Sequence, residues 1–251
     1  MQTVYKHLTT QWALIFAKFM HIAQEYDGYY EAIGFSYKFR PETHHLMSTD
    51  SSLFDMKKAA AMYFWYKNGD AKDYSIKKYF DEYVHCVDEL HPYFNSNYGV
   101  YAYVQGGLRK CVNELIKHKA SRQAMFCINN NNAMSEFSID KLCTNAIQFV
   151  IRKDKLDAII QMRSSNFLTL LPYDAFMFSV FYAHVYGLLK RHYTDLQTGT
   201  IHMHVASLHL YEKDVYEIKS TEPISEFVFQ MRDNNWQNIL EQRLLNALKN
   251  E

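Results

Sequence analysis

The sequence predicts an α+β fold, and three observations lead to this prediction. Segments whose apolar residues recur at helical spacing occur along the chain together with short strand-like runs. No stretch rich in Pro, Gly or Ser separates two halves, and no internal repeat is visible. A chain of 251 residues is long enough to bury one sizeable core. We therefore expect one α+β domain that covers residues 1–251.

The first part of the chain predicts three helices and one strand. The first helix rests on the apolar residues Leu14, Ile15, Phe19 and Ile22, which lie on one side at helical spacing. The expected elements, in chain order, are a helix at 4–26, a strand at 29–39 with a bend or bulge at Gly34, a helix at 55–67 that ends at a capping sequence at 68–70, a helix at 73–90 and a loop at 95–99.

The remaining chain predicts three helices and five strands. Residues 173–189 are apolar nearly all round, which is typical of a helix buried in the core. The expected elements are a helix at 108–118, a strand at 122–128, a loop at 129–132, strands at 146–151 and 156–162 with a turn at 153–155, a helix at 173–189, strands at 201–205 and 207–211, and a helix at 234–248.

The charge and hydropathy of the chain exclude several partners. Basic and acidic residues are equal in number, 27 each, so no long-range field attracts a polyanion and duplex nucleic acid is not expected as a partner. No run reaches the roughly 18 apolar residues of a membrane span. The N-terminal apolar stretch is followed by no small-residue cleavage site. We therefore expect a cytoplasmic protein that does not enter a membrane.

The cysteines and histidines predict no metal site. Four cysteines occur without a CxxC pair or a metal-like spacing: Cys86, Cys111, Cys127 and Cys143. Reduced thiols of a cytosolic protein are the simplest interpretation. His202 and His204 would share one face of a strand, but no third ligand follows at an obvious spacing.

Cys143 and Arg163 are the main candidates for chemistry. A cysteine thiolate can add to C6 of a pyrimidine ring and make C5 nucleophilic. Such a thiol needs a nearby cation, which Arg163, twenty residues later on an adjacent strand, can supply. The planar guanidinium also suits a phosphate group. The alternatives are a buried structural thiol and a solvated surface arginine.

Asp174 is the candidate for reading a base. Cytosine presents a donor at N4 and an acceptor at N3, and a protonated carboxyl group can pair with both. The alternative is an N-cap for a helix that begins at Ala175, and one side chain could serve both purposes. His209 and Tyr211 would face the same side of a strand because they are two residues apart.

The ordered motifs resemble those of the thymidylate synthase superfamily, which includes the thymidylate synthases and the deoxycytidylate hydroxymethylases. The motifs are Cys143 with Gln148-Phe149 five residues on, Arg163-Ser164-Ser165-Asn166, Leu171-Pro172-Tyr173-Asp174 and His209-Leu210-Tyr211. The resemblance is clearest over residues 34–211. It implies a mixed β-sheet packed by helices and a homodimer in which the two sheets face each other.

The resemblance also implies a role for each matched residue. The implied catalytic residues are the nucleophile Cys143, then Tyr98, which helps proton transfer at C5, Arg163 and Asp174. The implied substrate contacts are Arg122, which reaches into the partner's site, Gln148, Arg163 and Ser164 at the phosphate, Asp174 at the base, and His209 and Tyr211 at the sugar 3′-hydroxyl. Asn166 stands where the family contacts the pterin of 5,10-methylenetetrahydrofolate, the cofactor that the resemblance implies.

Several positions depart from the family pattern. Trp65 and the pair at 69–70 hold the register of a helix whose glutamate position is Met62, and methionine cannot do acid–base work. Asp174 replaces the asparagine that pairs with uracil, which favours dCMP over dUMP. Other departures are Gln24 near an expected phosphate arginine, Gln123 for the second cross-dimer arginine, and Thr169-Leu170 for the folate-side Leu-Gly.

These patterns lead to one main hypothesis and two alternatives. The main hypothesis is a one-carbon transferase that hydroxymethylates dCMP through a covalent bond between Cys143 and C6. The first alternative is a reaction at C5 or C6 of a pyrimidine nucleotide without folate. The second is a nucleotide-binding homologue without catalysis, which Met62 favours and Cys143 opposes. Thymidylate synthesis itself is opposed by both Asp174 and Met62.

Overall fold

The fold is an α+β arrangement built on one six-stranded mixed sheet. The computed structural model describes residues 8–41, 53–129, 139–216 and 235–249. The strands are β1 (Gln24–Tyr26), β2 (Tyr29–Phe39), β3 (Met125–Cys127), β4 (Thr144–Arg152), β5 (Lys155–Asn166) and β6 (Gln197–Tyr211). They lie in the order β1-β2-β6-β5-β4-β3. Every neighbouring pair is antiparallel except β5 and β6, which run parallel.

Helices cover the sheet and pack on one another. They are α1 (Thr10–Ile22), α2 (Met56–Asn68), α3 (Gly107–Lys117), α4 (Leu171–His192), α5 (Glu212–Tyr216) and α6 (Trp236–Lys249). Two short 3-10 segments, Tyr74–Lys78 and Asp81–Tyr83, and a π-helical turn, Val100–Val104, connect them. Helix α4 packs against α2, α3 and β5 and is buried over most of its length. Among the described helices, none combines the length and apolarity that a bilayer span needs.

The β4–β5 hairpin brings Cys143 next to Arg163. Its turn residues Lys153 and Asp154 both have positive φ, 49° and 58°, as a tight two-residue hairpin turn requires. The pairing runs back from this turn, and a one-residue irregularity between Thr144 and Ala146 shifts the register at the far end. As a result the amide of Arg163 donates a hydrogen bond to the carbonyl oxygen of Cys143, with an N···O distance of 2.8 Å.

Three adjacent strands change their buried face at the same level of the sheet. In β6 the buried residues alternate up to Val205 and resume out of phase at Leu208, and Gly34 lies at the matching level of β2 with φ 68°. Strand β5 changes phase beside Arg163 and Ser164. The expected bend or bulge at Gly34 is therefore confirmed. It is one of three irregularities that lie side by side in β2, β6 and β5, and the one in β5 is at Arg163 and Ser164.

Helix α1 covers the edge of the sheet that β1 leaves open. Strand β1 pairs only with the beginning of β2, from Tyr29 to Glu31. Beyond that point, Nζ of Lys18 donates to the carbonyl of Ser36 at 2.6 Å, and the Gln11 side-chain amide donates to that of Lys38 at 3.3 Å. These bonds occupy backbone acceptors that an unprotected edge strand would offer to another chain.

Helix α2 is capped at both ends, and its C-terminal cap lies in the sequence predicted for it. The Asp55 carboxylate accepts a bond from the amide of Lys57 at 2.7 Å, and Gly69 closes the helix in the left-handed conformation with φ 62°. Gly99 packs so close to this helix that a Cβ at its position would lie 1.7 Å from the carbonyl oxygen of Tyr66. Only glycine fits there.

Several predicted elements need correction. Residues 24–26 form a strand rather than the end of a helix, and Leu14 and Ile22 lie on the exposed side of α1. The helix expected at 73–90 is wrong, because only the two short 3-10 segments form there. The strand expected at 122–128 is limited to β3, and a helical turn begins inside the loop expected at 95–99. The two strands expected between 201 and 211 are one strand, β6. The expectations for residues 4–7, 130–132 and 234 lie outside the described residues.

Candidate active site

The loop that carries Cys143 is held from two sides. Cys143 directly precedes β4 and is half-buried. On one side its carbonyl oxygen accepts the bond from the Arg163 amide. On the other side the amide of Thr144 donates to the hydroxyl oxygen of the buried Tyr98 at 3.2 Å. The backbone on either side of the candidate nucleophile is therefore fixed, as a residue that must meet one ring atom requires.

The side chain of Arg163 lies along the same loop. Its Nε donates to the carbonyl of Leu142 at 2.6 Å, and its Nη2 donates to that of Lys141 at 2.9 Å. These are the guanidinium hydrogen bonds found among the described residues, and three of its five N–H groups remain for an anion. Arg163 therefore holds the Cys143 loop and keeps N–H groups available to an anion.

The thiol of Cys143 is protonated in the free protein at neutral pH. Burial raises its pKa to about 11, against the effect of the Arg163 charge, while the carboxyl groups of Asp174 and Asp140 add to the rise. The predicted cation is therefore present and acts in the expected direction, but burial outweighs it. A nucleophilic reaction of this thiol at neutral pH would require that it first lose its proton.

Asp174 is a buried acid close to the same thiol. It lies in the first turn of α4, which begins at Leu171, so the proposed capping role at Ala175 is wrong: the cap position is Leu170. The Asp174 carboxyl accepts a bond from Ser165 Oγ at 3.3 Å. Burial raises the pKa of Asp174 to about 7, partly opposed by that bond. At neutral pH a large share of Asp174 is protonated and can both donate and accept.

The residues expected at the sugar also lie together. Ser164 Oγ and His209 Nδ1 are 3.4 Å apart, because β5 and β6 run parallel here. The rings of His209 and Tyr211 meet edge to face at 5.1 Å between centroids. Burial lowers the pKa of His209, so its imidazole is neutral at pH 7 and can exchange hydrogen bonds with a hydroxyl group.

Both the oxygen and the nitrogen of the Asn166 side-chain amide form hydrogen bonds within the protein. Its Oδ1 accepts from the amides of Leu168 at 2.9 Å and Thr169 at 3.2 Å, and its Nδ2 donates to the Asp214 carboxylate at 2.7 Å. The side chain is buried. It ties the turn after β5 to α5.

Arg122 and Gln148 form a separate group on the β3 side of the sheet. Gln148 donates from Nε2 to the backbone carbonyl of Arg122 at 2.7 Å, and the Arg122 side chain is exposed. Gln148 thus fixes the backbone of Arg122. The guanidinium of Arg122 is accessible, as a contact to another subunit needs.

Two further positions complete the site. Met62, where the resemblance leads us to expect a glutamate, is 1% exposed within α2. Asp140, three residues before Cys143, is also buried and was missed by sequence reasoning. Its only sequence signal was its closeness to Cys143, since a single aspartate in a loop has no distinctive pattern. Among the described residues, no three His, Cys, Asp or Glu side chains converge as metal ligands.

The mixed sheet packed by helices agrees with the fold that the resemblance to the thymidylate synthases implies, and it carries Cys143 just before one strand and Arg163 on the next. The chain belongs to the thymidylate synthase family: a sequence model of that family, described as thymidylate synthase, matches residues 27–234. The match extends beyond the region where the motifs were clearest.

Curated relatives from phages are similar over part of the chain. The deoxycytidylate 5-hydroxymethyltransferases of Enterobacteria phages T4, T2 and T6 are each 28% identical to it over 142 residues. The aligned stretch covers 49% of this chain and 53% of each relative. The chain therefore spans about half the length of the curated relatives it matches, and it is a divergent member of the superfamily.

Proposed function

We propose that the chain is a one-carbon transferase acting at C5 of a pyrimidine nucleoside monophosphate, with dCMP preferred over dUMP. The observation that carries the proposal is the Cys143 loop held by Arg163 beside the buried acid Asp174. Membership of the thymidylate synthase family supports it. The names of the phage relatives support deoxycytidylate as the substrate and hydroxymethylation as the reaction.

The proposed chemistry begins with a bond between Cys143 Sγ and C6 of cytosine. The thiol gives its proton to water, the C5=C6 electron pair moves to form C4=C5, and the C4=N3 pair moves to N3. The protonated Asp174 supplies the proton that N3 takes, and it accepts the N4 amino group with its other oxygen. C5 is then nucleophilic, and the proton returns to Asp174 when the sulfur leaves.

The proposed substrate contacts divide between two ends of the site. Arg163 and Ser164 bind the phosphate, and Arg163 does so with the N–H groups that the loop leaves available. His209 and Tyr211 contact the sugar hydroxyl. Tyr98 accepts from the Thr144 amide, so its own hydroxyl hydrogen can point elsewhere and assist proton transfer at C5.

The described residues do not fit the folate cofactor at the one position assigned to it. Both ends of the Asn166 amide are engaged with Leu168, Thr169 and Asp214, and a pterin would have to break these bonds. Leu170 adds a side chain where the family carries glycine. We therefore derive no step through folate.

Release of tritium from C5-labelled nucleotide tests the proposal. Without folate, the wild-type protein should release tritium from dCMP faster than from dUMP. Cys143→Ala should abolish release while dCMP still binds in calorimetry. Cys127→Ala, which removes an exposed thiol on β3, is the matched control and should leave release unchanged. Equal release from wild type and Cys143→Ala would refute the covalent step.

A nucleotide-binding homologue without catalysis is the second candidate function. The burial of Met62 in place of a glutamate favours it, because no acid–base group replaces it at that position. Its signature is clear binding of dCMP by the wild type with no tritium release at any pH from 6 to 10. That result would replace the transferase proposal.

We also propose that the protein is a homodimer whose sheets face each other. The exposed Arg122 contributes to a site only if it reaches a second copy. Mixing the single variants Arg122→Gln and Cys143→Ala tests this, because one of the two sites in a mixed dimer would keep both residues. Recovery of tritium release on mixing supports the shared site. A monomer in light scattering at micromolar concentration would exclude it.

A further inference from the structure

Asp140 connects the nucleophile's loop to a second loop. Asp140 is 4% exposed, and its Oδ2 accepts two bonds from Ser96, one from the amide and one from the hydroxyl, each at 2.7 Å. Its backbone carbonyl accepts a third bond, from Nδ2 of Asn95 at 3.2 Å. A buried carboxylate with this many donors is a fixed part of the structure.

The loop that Asp140 contacts is itself anchored. Asn97 donates from Nδ2 to the carbonyls of Trp65 and Asp70, both at 3.1 Å, and its Oδ1 accepts from the amide of Gly99. Tyr98, between these residues, accepts from the Thr144 amide. The Ser96–Tyr98 loop is therefore held on the end of α2, and it holds the nucleophile's loop at two points.

Contacts cover every residue from Asp140 to Cys143. Ser96 binds the Asp140 side chain, the Arg163 guanidinium binds the carbonyls of Lys141 and Leu142, and the Arg163 amide binds the carbonyl of Cys143. Asp140 and Arg163 thus hold the same four-residue segment from opposite ends. Removal of either should change where the sulfur lies.

The same two residues act on the thiol through their charges. Arg163 lowers the pKa of Cys143, while Asp140 and Asp174 raise it. The Arg163 charge and the Ser96 bonds oppose the effect of burial on the pKa of Asp140. Among the described residues, the side chains of Tyr83, Cys86 and Tyr101 also sense the Asp140 charge.

We propose that Asp140 is a positioning residue for the reaction of Cys143: its carboxylate fixes the nucleophile's loop on Ser96 and balances the charge of Arg163 beside the thiol. This role rests on the proposed function only in that Cys143 is taken to be the nucleophile. In the proposal Asp140 acts through the Cys143 loop and not on the substrate, and its Oδ2 is engaged by the two Ser96 bonds.

Three variants separate the two parts of this role. Asp140→Asn keeps the shape and removes the charge. Ser96→Ala removes one anchoring bond and keeps the charge. Asp157→Asn is the matched control, since the Asp157 carboxylate near the start of β5 also accepts a backbone bond, from Thr200 at 2.7 Å. Circular dichroism and thermal unfolding show whether each variant is folded.

The main readout is the alkylation rate of Cys143 by iodoacetamide between pH 7 and 11, followed by mass spectrometry of the peptide that contains it. Asp140→Asn should shift the profile to lower pH and raise the rate at pH 8 about three- to tenfold, because one negative charge fewer opposes the thiolate. Asp157→Asn should leave the profile unchanged. Ser96→Ala should keep the midpoint and lower the kcat of tritium release more than it changes KM.

A merely structural role would give a different result. If Asp140→Asn lowers the unfolding temperature but leaves the alkylation profile where it is in wild type and Asp157→Asn, the proposal is overturned. Alkylation needs no nucleotide, so it tests the role of Asp140 even if the proposed function is wrong. In that case wild type releases no tritium, yet Asp140→Asn still shifts the profile.

Discussion

The hydroxyl oxygen of Tyr98 accepts a hydrogen bond from the amide of Thr144, the residue that follows Cys143, at 3.2 Å. The bond joins two loops that are 46 residues apart in the chain. It gives Tyr98 a structural task in addition to its proposed part in proton transfer. Both tasks can be tested with one substitution.

Tyr98→Phe should lower both stability and activity. The buried Thr144 amide would lose its acceptor, which costs about 1–3 kcal/mol of unfolding free energy. Urea denaturation measures this loss. Tritium release should fall by about tenfold or more if the hydroxyl also assists proton transfer. If the variant loses about 1–3 kcal/mol of stability but releases tritium at the wild-type rate per folded molecule, Tyr98 has only the structural task.

Asp174→Asn should remove a pH dependence of stability. Asp174 has a pKa of about 7 in the folded protein against 3.8 for an ordinary aspartate. Between these values the folded state holds a proton that the unfolded chain has lost, so this group's contribution to stability falls as pH rises from 4 to 7 and then levels off. The difference between wild type and variant should change by about 4 kcal/mol across that window. Denaturation series at pH 5 and pH 8 span about two of these three pH units and should show about 3 kcal/mol of the change.

The same substitution should change the choice of base. Only the protonated carboxyl pairs with both N3 and N4 of cytosine, so wild-type affinity for dCMP should decrease above pH 7. Asp174→Asn should weaken this pH dependence and bring dUMP binding closer to dCMP binding. Calorimetric titrations with both nucleotides at pH 6 and pH 8.5 decide the point. A constant dCMP affinity over that range would mean that Asp174 does not read the base.

Arg163→Gln should weaken phosphate binding and make the thiol less reactive. The variant loses the charge that lowers the pKa of Cys143 and the bonds to Lys141 and Leu142. Loss of a charge-assisted bond of about 1.5–3 kcal/mol corresponds to roughly 10- to 100-fold weaker binding of dCMP. Deoxycytidine, which has no phosphate, should bind both proteins alike. Arg163→Lys tests whether charge alone restores alkylation at pH 8.

Gly99→Ala should prevent normal packing of the site. The added Cβ would lie 1.7 Å from the backbone oxygen of Tyr66, so the loop before Val100 or the helix α2 has to move. We expect a loss of more than about 4 kcal/mol, near the total stability of many domains. Gly187→Ala is the control, because its Cβ would meet only the Trp236 side chain, at 3.3 Å. Thermal unfolding of the two variants compares them.

Leu244→Ala should detach the last helix from α2. Leu244 is fully buried, and its truncation should cost about 2–5 kcal/mol. Glu241, which accepts from Tyr63 at 2.8 Å and Lys67 at 2.7 Å, stands one turn earlier on α6. Glu241→Gln should cost less than about 1.5 kcal/mol, since Lys67 is substantially exposed. Leu244→Ala should raise the rate of limited proteolysis in α6 more than Glu241→Gln does.

Local patterns predicted the elements that depend on nearby residues. The hairpin turn at 153–154, the capped helix α2 and the apolar helix α4 were found because turn, cap and burial signals lie within each segment. The helix expected at 73–90 failed because Phe80 and Tyr83 pack their rings on Tyr173, Trp65 and Phe94 instead of following a helical stripe. Contacts between distant segments overrode local propensity there.

The sequence by itself determined the order of the site residues and placed Cys143 and Arg163 on neighbouring strands, since a tight hairpin turn sets the register of the strands that it joins. The one-residue irregularity between Thr144 and Ala146, which brings Cys143 opposite Arg163, is seen only in the structure. Only the tertiary structure decided the state of the ionisable groups. Burial by α4 and the sheet raises the pKa of Asp174 to about 7 and keeps the thiol of Cys143 protonated. Ser96, from a distant loop, binds the Asp140 carboxylate. Desolvation depends on neighbours from the whole chain, which no local pattern contains.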